Sequence, residues 1–112
     1  MESGRIILAA LPQSDSKIKL RPALVLKVVP PFNDLLVCGI STQLHQQVKE
    51  IDQIIELADK DYQRSGLSQP SLIRVTYLAV IPKGIIGGAI GKIAEDRLTT
   101  LKQTLASFIL DK

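Results

Sequence analysis

Prolines divide this chain into short aliphatic segments, and that division limits which folds it can adopt. Residues 5–11 (RIILAAL) run into Pro12, residues 21–29 (RPALVLKVV) end at Pro30-Pro31, and residues 71–81 (SLIRVTYLAVI) lie between Pro70 and Pro82. Proline breaks helices and is restricted to the margins of strands. Short runs rich in β-branched residues and bounded in this way are typical of strands. The sequence therefore predicts a succession of short strands.

The segments between these runs extend the prediction. Residues 12–20 (PQSDSKIKL) mix turn-forming types without a periodic apolar face, which indicates a mobile loop. Residues 35–40 (LLVCGI) follow the turn signal Asn33-Asp34, so residues 21–41 have the outline of a hairpin with a connection of four or five residues, and Ser41 falls at the end of its second strand. Residues 48–57 fit either a strand pair or an interrupted helix, and we favour strand.

Helical signals are confined to two places. Residues 59–65 begin with Asp59 and stop before Gly66, which predicts one short helix with a C′ glycine. Residues 94–110 carry apolar side chains at three- and four-residue spacing, with Glu95 and Asp96 in the early turns, where carboxylates favour the helix dipole. An amphipathic terminal helix is predicted there, and its core face consists of Leu98, Leu101, Leu105 and Phe108. Residues 83–92, rich in glycine and isoleucine, leave the local structure open.

Four to six short strands with one substantial helix predict a mainly β (α+β) fold. A sheet of this size must bury one face, so either a small β-barrel or a strongly bent sheet is expected. The length of 112 residues suits a single domain over residues 1–112, and we see neither a repeat nor a linker. Hydrophobic residues make up 46% against 22% charged residues, which places the chain among folded proteins.

Charge and cysteine content restrict the classes of function only weakly. A formal net charge of +3 suits a polyanionic partner without demonstrating one. The single cysteine, Cys38, lies in an apolar run and is expected to be a small buried hydrophobe of a protein from the reducing cytoplasm. No long apolar stretch or signal segment is evident, so neither membrane insertion nor secretion is expected.

The sequence lacks the residues needed for a P-loop and for a zinc site. Gly91-Lys92 superficially resembles the end of a phosphate-binding P-loop, but Ile86 replaces the required earlier glycine and Ile93 follows the lysine. One histidine and one cysteine are too few for an ordinary zinc site. We therefore expect no metal and no cofactor.

Five segments, in order, carry a resemblance to a known family. They are residues 4–8 (GRIIL), 21–26 (RPALVL), 39–43 (GISTQ), 66–71 (GLSQPS) and 90–93 (IGKI), the last followed by the amphipathic helix. This arrangement over nearly the whole chain resembles the MazF/PemK toxins of type II toxin-antitoxin systems. The resemblance implies an SH3-like barrel of the CcdB/PemK type, usually a homodimer. It also implies a sequence-specific endoribonuclease that cleaves single-stranded mRNA without a metal and is neutralised by a cognate antitoxin, together with which it binds DNA.

The resemblance assigns two catalytic residues. Arg21 is similar to the family's catalytic arginine, whose planar guanidinium suits the charge that gathers on phosphorus. Without the resemblance, an arginine at a strand end is usually a solvated charge. Ser41 stands where the family usually has threonine, and turn hydrogen bonding is its alternative role. Thr42 replaces it if the strand register slips by one residue.

The proton carriers are less well defined, because the first loop lacks the glutamate that several relatives have. Asp15 is a substitute base, and Lys17 and Lys19 are phosphate-binding candidates; a solvated loop is the plainer interpretation of all three. His45, the only histidine, is a possible proton carrier because its ordinary pKa is near neutrality. Arg74 is a possible substrate ligand, although an outward-facing strand charge is the more ordinary role. Aromatic residues are few, so base recognition is expected to depend on hydrogen bonds.

Two other classes of function remain open. One is a non-catalytic protein of the same fold, either a CcdB-like poison that binds gyrase or a degenerate toxin that sequesters an antitoxin, and the missing loop glutamate favours it. The other is a structural barrel whose basic charge serves solubility.

Overall fold

A computed structural model describes residues 2–12 and 18–112, in which six strands and two α-helices form. Two 3₁₀ turns, Leu44–Gln46 and Lys83–Ile85, lie between them. The strands are β1 (Arg5–Pro12), β2 (Ile18–Val29), β3 (Asp34–Ser41), β4 (Gln53–Ile55), β5 (Ser71–Ile81) and β6 (Ile86–Lys92), and the helices are α1 (Tyr62–Ser65) and α2 (Glu95–Leu110).

The six strands form one antiparallel sheet in the order β4-β5-β3-β2-β1-β6. In a flat sheet β5 and β6 would lie four strand spacings apart, about 19 Å. The chain passes from Ile81 to Ile86 in five residues, however, which span at most about 18 Å even when extended. The sheet must therefore curl, as the irregular registers of β1 with β6 and of β3 with β5 also indicate. The predicted mainly β fold with a terminal helix is confirmed.

Strands β1, β3 and β5 lie close to where the sequence places them, but the predicted loop over residues 12–20 is too long. Pro12 is the last residue of β1, and Ile18 opposite it is the first residue of β2. Lys19 and Leu20 extend the ladder by pairing with Leu11 and Ala10. The loop prediction failed because the pairing of β1 continues beyond the apolar part of β2. Residues 13–17 lie outside the described part of the chain.

Strand was favoured for the segment 48–57, and a strand does form there, but it is much shorter than the segment and the rest is turn or irregular. Only residues 53–55 form a strand, β4, which pairs with β5. Before it, the Val48 N–H donates a hydrogen bond to Asp52 Oδ2 at 3.0 Å, and this bond closes a turn that no apolar periodicity indicates.

The short helix is also smaller than predicted. Asp59 does not cap it; its Oδ2 accepts a hydrogen bond of 2.8 Å from the Glu56 N–H in the preceding turn. The C′ glycine is confirmed, because Gly66 has a φ of +73° in the left-handed region. A Cβ on Gly66 would overlap the carbonyl oxygen of Ile90, and a Cβ on Gly91 would overlap that of Arg64. Helix α1 and strand β6 therefore touch backbone to backbone at two glycines.

Two apolar clusters lie on opposite faces of the sheet. The larger cluster packs against α2, whose Leu98 and Leu101 are buried. The smaller cluster lies on the other face and contains Ile7, Ala9, Ala23, Val25, Leu35, Val37 and Ile81. Phe108 was expected in the helix core but is half exposed, and Ile109 and Leu110 are exposed too, because the burial of α2 fades after Leu105. Within the described residues, no helix has the length and apolar character needed to cross a membrane.

A buried ion pair fixes the start of α2. Asp61 is buried, and its Oδ2 accepts hydrogen bonds from Arg97 Nε at 2.8 Å and from the Ala94 N–H at 2.9 Å. Burial raises the pKa of Asp61, but these two hydrogen bonds and the charge of Arg97 together hold the pKa below its ordinary value. Arg97 also binds Asp59 Oδ2 and Gln53 Oε1. The pair thus joins α2 to the turn before α1 and to β4.

Cys38 is buried in the larger cluster, as expected. Burial, and secondarily the negative charge of Asp52, raises the pKa of its thiol to about 12. The thiol therefore stays protonated and unreactive at neutral pH.

Candidate functional site

The candidate site is built on one rung of the sheet that crosses three strands. Ala23 of β2 pairs with Gly39 of β3, which pairs in turn with Arg74 of β5. Directly paired residues point to the same face of a sheet, as do residues two apart along a strand. Continuing the register of β2 and β3 by two residues brings Arg21 opposite Ser41. These three candidates, Arg21, Ser41 and Arg74, therefore share one face.

Arg21 is exposed, and its backbone lies inside a strand. It pairs with Ala9 of β1, while Pro22 beside it pairs with Leu8. The paired neighbour and the fixed φ of proline leave this backbone little freedom. Lys19 lies two residues earlier on the same strand, is also exposed, and adds a second cation to the same face.

Ser41 ends β3 with its side chain engaged in a turn. Its Oγ accepts a hydrogen bond from the Gln43 N–H at 3.0 Å, which is the turn role that the sequence left open. A hydroxyl that accepts one bond still has its own hydrogen to donate, so Ser41 retains a donor for a second group. Thr42 is exposed beyond the strand end, and its carbonyl oxygen accepts a bond from the Leu44 N–H.

Arg74 is held in place by its neighbours and is not the solvated outward charge that was expected. Its side chain is half-buried, and Nη1 donates a hydrogen bond to Gln46 Oε1 at 3.2 Å. The centre of the guanidinium lies 3.4 Å from the centroid of the Tyr77 ring, a cation–π contact. Its Nε is covered and has no hydrogen-bond partner among the described residues.

The contact between Arg74 and Tyr77 depends on an irregularity in β5. Cys38 pairs with Leu78 and the next residue, Gly39, pairs with Arg74, so three residues of β5 have no partner between these positions. This bulge turns Tyr77 toward β3, where a Cβ on Gly39 would lie 3.7 Å from the Tyr77 Cβ. Tyr77 and Gln46 were missed by the sequence analysis, because no spacing signal reveals a bulge between distant strands.

The remaining candidates are more dispersed. His45 is exposed in the 3₁₀ turn Leu44–Gln46. The residue that follows it, Gln46, accepts the hydrogen bond from Arg74. Asp15 and Lys17 lie outside the described residues. In the part of the chain that the structure describes, no three side chains of His, Cys, Asp or Glu gather as a metal site would require. Taken together, the site offers three cations and a hydroxyl on one sheet face, an arrangement suited to a phosphate-bearing ligand.

Comparisons with known proteins give a family and a structure of similar fold. A family model described as PemK-like, MazF-like toxin of type II toxin-antitoxin system matches residues 2–109. Among solved structures, the chain is similar to toxin MazF-mt6 of Mycobacterium tuberculosis, with 25% sequence identity and a TM-score of 0.68. That similarity covers 96% of this chain and 99% of the other. A search of curated proteins gave no match.

Proposed function

Because the chain belongs to the PemK-like, MazF-like toxins of type II toxin-antitoxin systems, we propose that it is an endoribonuclease cleaving single-stranded mRNA at a short sequence motif. The observation that carries this proposal is the shared face of Arg21, Ser41 and Arg74 on three neighbouring strands. Cleavage of mRNA inhibits translation, which is how the toxin would arrest growth.

The reaction requires no group beyond those of the RNA and the protein. The 2′-oxygen attacks the adjacent phosphorus, the P–O5′ bond breaks, and the products are a 2′,3′-cyclic phosphate and a 5′-hydroxyl. A base takes the 2′-proton, and an acid returns a proton to the leaving O5′. The negative charge that grows on the phosphoryl oxygens is the part a protein stabilises most effectively with fixed donors.

Arg21 is the residue we assign to that stabilisation. Its fork donates to two phosphoryl oxygens at once, and its backbone is fixed between β1 and its own proline. Ser41 donates its free hydroxyl hydrogen to the same phosphate or to the attacking oxygen. Lys19 and Arg74 hold flanking phosphates. Proton transfer falls to Asp15, Lys17 or His45, the candidates nearest to the site in sequence, with Thr42 as the substitute hydroxyl.

The family implies a protein partner, since a type II toxin is paired with an antitoxin. We propose that the antitoxin covers the face with Arg21 and Ser41 and forms with the toxin a DNA-binding complex. We further propose that residues 1–112 act as one domain, that the chain works as a homodimer, and that it works in the cytoplasm.

The test is cleavage of a long single-stranded RNA by the purified chain with EDTA present. Fragment 5′ ends are mapped and checked for the free hydroxyl that 2′-attack leaves. Arg21→Ala should reduce cleavage by about 10²–10³-fold, the usual effect of removing one donor to a transition-state oxyanion. Arg64→Ala, at an exposed arginine of α1, is the matched control and should cleave normally.

Discrete cuts at a recurring motif, lost in Arg21→Ala and kept in Arg64→Ala, would support the proposal. Intact RNA at high protein concentration would refute it and favour the non-catalytic alternative, for which gyrase binding is the next measurement. Cleavage that occurs without EDTA and is abolished by EDTA would also contradict the proposed metal-independent chemistry.

A further inference from the structure

We propose that Tyr77 is a stacking platform for one base of the bound RNA and that Arg74 positions its ring. This inference rests on the proposed function, because it deepens the account of how the same face holds single-stranded RNA. It also replaces the expectation that base recognition depends on hydrogen bonds alone.

One face of the Tyr77 ring is covered by a cation, while the residue as a whole remains largely exposed to solvent. The Arg74 guanidinium lies against one face at 3.4 Å from the ring centroid. The residue nevertheless keeps 58% of its surface exposed. A tyrosine with a cation on one face and solvent on the other offers a free π-surface, and stacking on such a surface is how proteins bind unpaired bases.

The ring is also fixed before any ligand arrives. Arg74 is itself tied to Gln46, and Gly39 admits the Tyr77 backbone within van der Waals distance. A pre-oriented aromatic side chain loses little conformational entropy on binding. The Arg74–Tyr77 unit therefore differs from an ordinary exposed tyrosine, which moves between rotamers.

The position along the sheet suits a nucleotide next to the scissile phosphate. Gly39, beneath Tyr77, is two residues from Ser41 on β3, a separation of about 7 Å along the strand. Adjacent nucleotides of an extended RNA strand span such a distance. With a phosphate at Arg21 and Ser41, the neighbouring base therefore reaches Tyr77, and Arg74 lies beside it as a cation for the next phosphate.

The surroundings favour RNA over a protein partner. Arg74 contacts the Tyr77 ring and donates a hydrogen bond to Gln46, and Ser41 lies two residues from Gly39 on the same face. Two exposed apolar residues of β5, Leu78 and Val80, lie on the opposite face of the sheet. They pair with Cys38 and Leu36, whose side chains pack in or against the larger cluster on that face. Tyr77 is thus an isolated aromatic in a polar, cationic setting.

The experiment measures binding separately from cleavage. A short RNA with 2′-O-methyl groups throughout cannot undergo 2′-attack, so its affinity is measured without reaction. Its sequence spans a mapped cleavage site, or, if no site has been mapped, contains all four bases in mixed order. The chain contains no tryptophan and two tyrosines, so the Tyr62→Phe variant leaves Tyr77 as the sole tyrosine. Stacking of a base on Tyr77 should quench that residual fluorescence.

Two substitutions of Tyr77 and an abasic scan of the RNA test the geometry. Tyr77→Leu should weaken binding roughly 5- to 150-fold, the effect of losing one stacked base, whereas Tyr77→Phe should bind within about twofold of the parent. An abasic scan of the oligonucleotide identifies the stacked base: one abasic position should weaken binding to the parent by that same factor and have no effect on Tyr77→Leu. Unchanged circular dichroism of each variant shows that folding is intact.

The outcomes separate this inference from the proposed function. RNA cleavage that needs Arg21, together with unchanged affinity in Tyr77→Leu, overturns the stacking role alone. Binding that needs Tyr77, in a chain that cuts no RNA, supports stacking and refutes the nuclease. If Tyr77→Leu loses the same affinity with every abasic oligonucleotide, the stacking role is overturned. If the parent protein binds no RNA, both the stacking role and the proposed nuclease function are overturned.

Discussion

Replacing Asp61 by Asn tests whether the buried ion pair at the start of α2 holds the C-terminal part of the fold together. The Asp61 side chain is 1% exposed and that of Arg97 is 14% exposed. Asparagine keeps the shape and one acceptor for the Ala94 N–H, but it removes the charge and turns an NH₂ donor toward the guanidinium. Arg97 would then be a buried cation without its principal counter-ion.

The magnitude follows from what Arg97 loses and keeps. Removing one partner of a buried pair costs about 3–5 kcal/mol of the free energy of unfolding. Arg97 retains the Asp59 carboxylate at 3.2 Å and the Gln53 amide oxygen at 2.9 Å, so the lower end applies. We expect a loss of about 3 kcal/mol, which is a large part of the stability of a typical domain and lowers Tm by roughly 10–15 °C.

Urea unfolding followed by far-UV circular dichroism measures this loss. The control is Asp96→Asn, which removes the exposed ion pair with Lys60 and should change stability little. The pH dependence gives a second criterion. Because the folded-state pKa of Asp61 is lowered, its contribution to the free energy of unfolding is complete above the unfolded-state pKa of about 3.9 and is lost as pH falls through the folded-state value.

The stability gap between the parent and Asp61→Asn should therefore be full at neutral pH and narrow in acid, below about pH 4. Equal losses for Asp61→Asn and Asp96→Asn at neutral pH would refute the reasoning. A gap that stays constant into acid would show that the loss comes from altered packing and not from the carboxylate charge.

Three further predictions concern packing and reactivity. Gly91→Ala should lower stability by more than about 2 kcal/mol or prevent folding, because its Cβ would overlap a backbone carbonyl of α1, whereas Gly84→Ala, with nothing near its Cβ, should be tolerated; urea unfolding measures both. Leu101→Ala should cost about 2–5 kcal/mol and Leu110→Ala less than about 0.5 kcal/mol in the same assay, since the first side chain is buried and the second exposed. Cys38 should resist a thiol reagent at pH 8 in the native protein and react at once in denaturant, and fast native labelling would contradict its burial.

The sequence predicted best those elements whose limits are set locally. The β5 strand matches the prediction because Pro70 and Pro82 stop pairing at both ends, and α2 matches because apolar spacing and early carboxylates coincide. The strand predicted within residues 48–57 is shorter than the segment, because the Asp52 side chain closes a turn that competes with strand pairing. Apolar spacing also overestimated the core role of Phe108, since periodicity does not reveal where the sheet beneath a helix ends.

The candidate site was predicted in part. Arg21 and Ser41 were named from a resemblance, and their common face follows from the register of β2 and β3. Tyr77 could not be predicted, because the position of its ring depends on a three-residue bulge opposite Cys38 and Gly39. Single-sequence patterns carry no information on the register between strands so far apart.

The contact of α1 with β6 at Gly66 and Gly91 bears on how members of this family are identified. Both glycines belong to segments that resemble the family, yet the requirement they meet is steric: a side chain at either position would collide with backbone. These segments therefore report ancestry of the scaffold, whereas the chemistry that we propose depends on Arg21 and Ser41. A survey of relatives that scores the two pairs separately would divide the family into active nucleases and proteins that inherited only the scaffold.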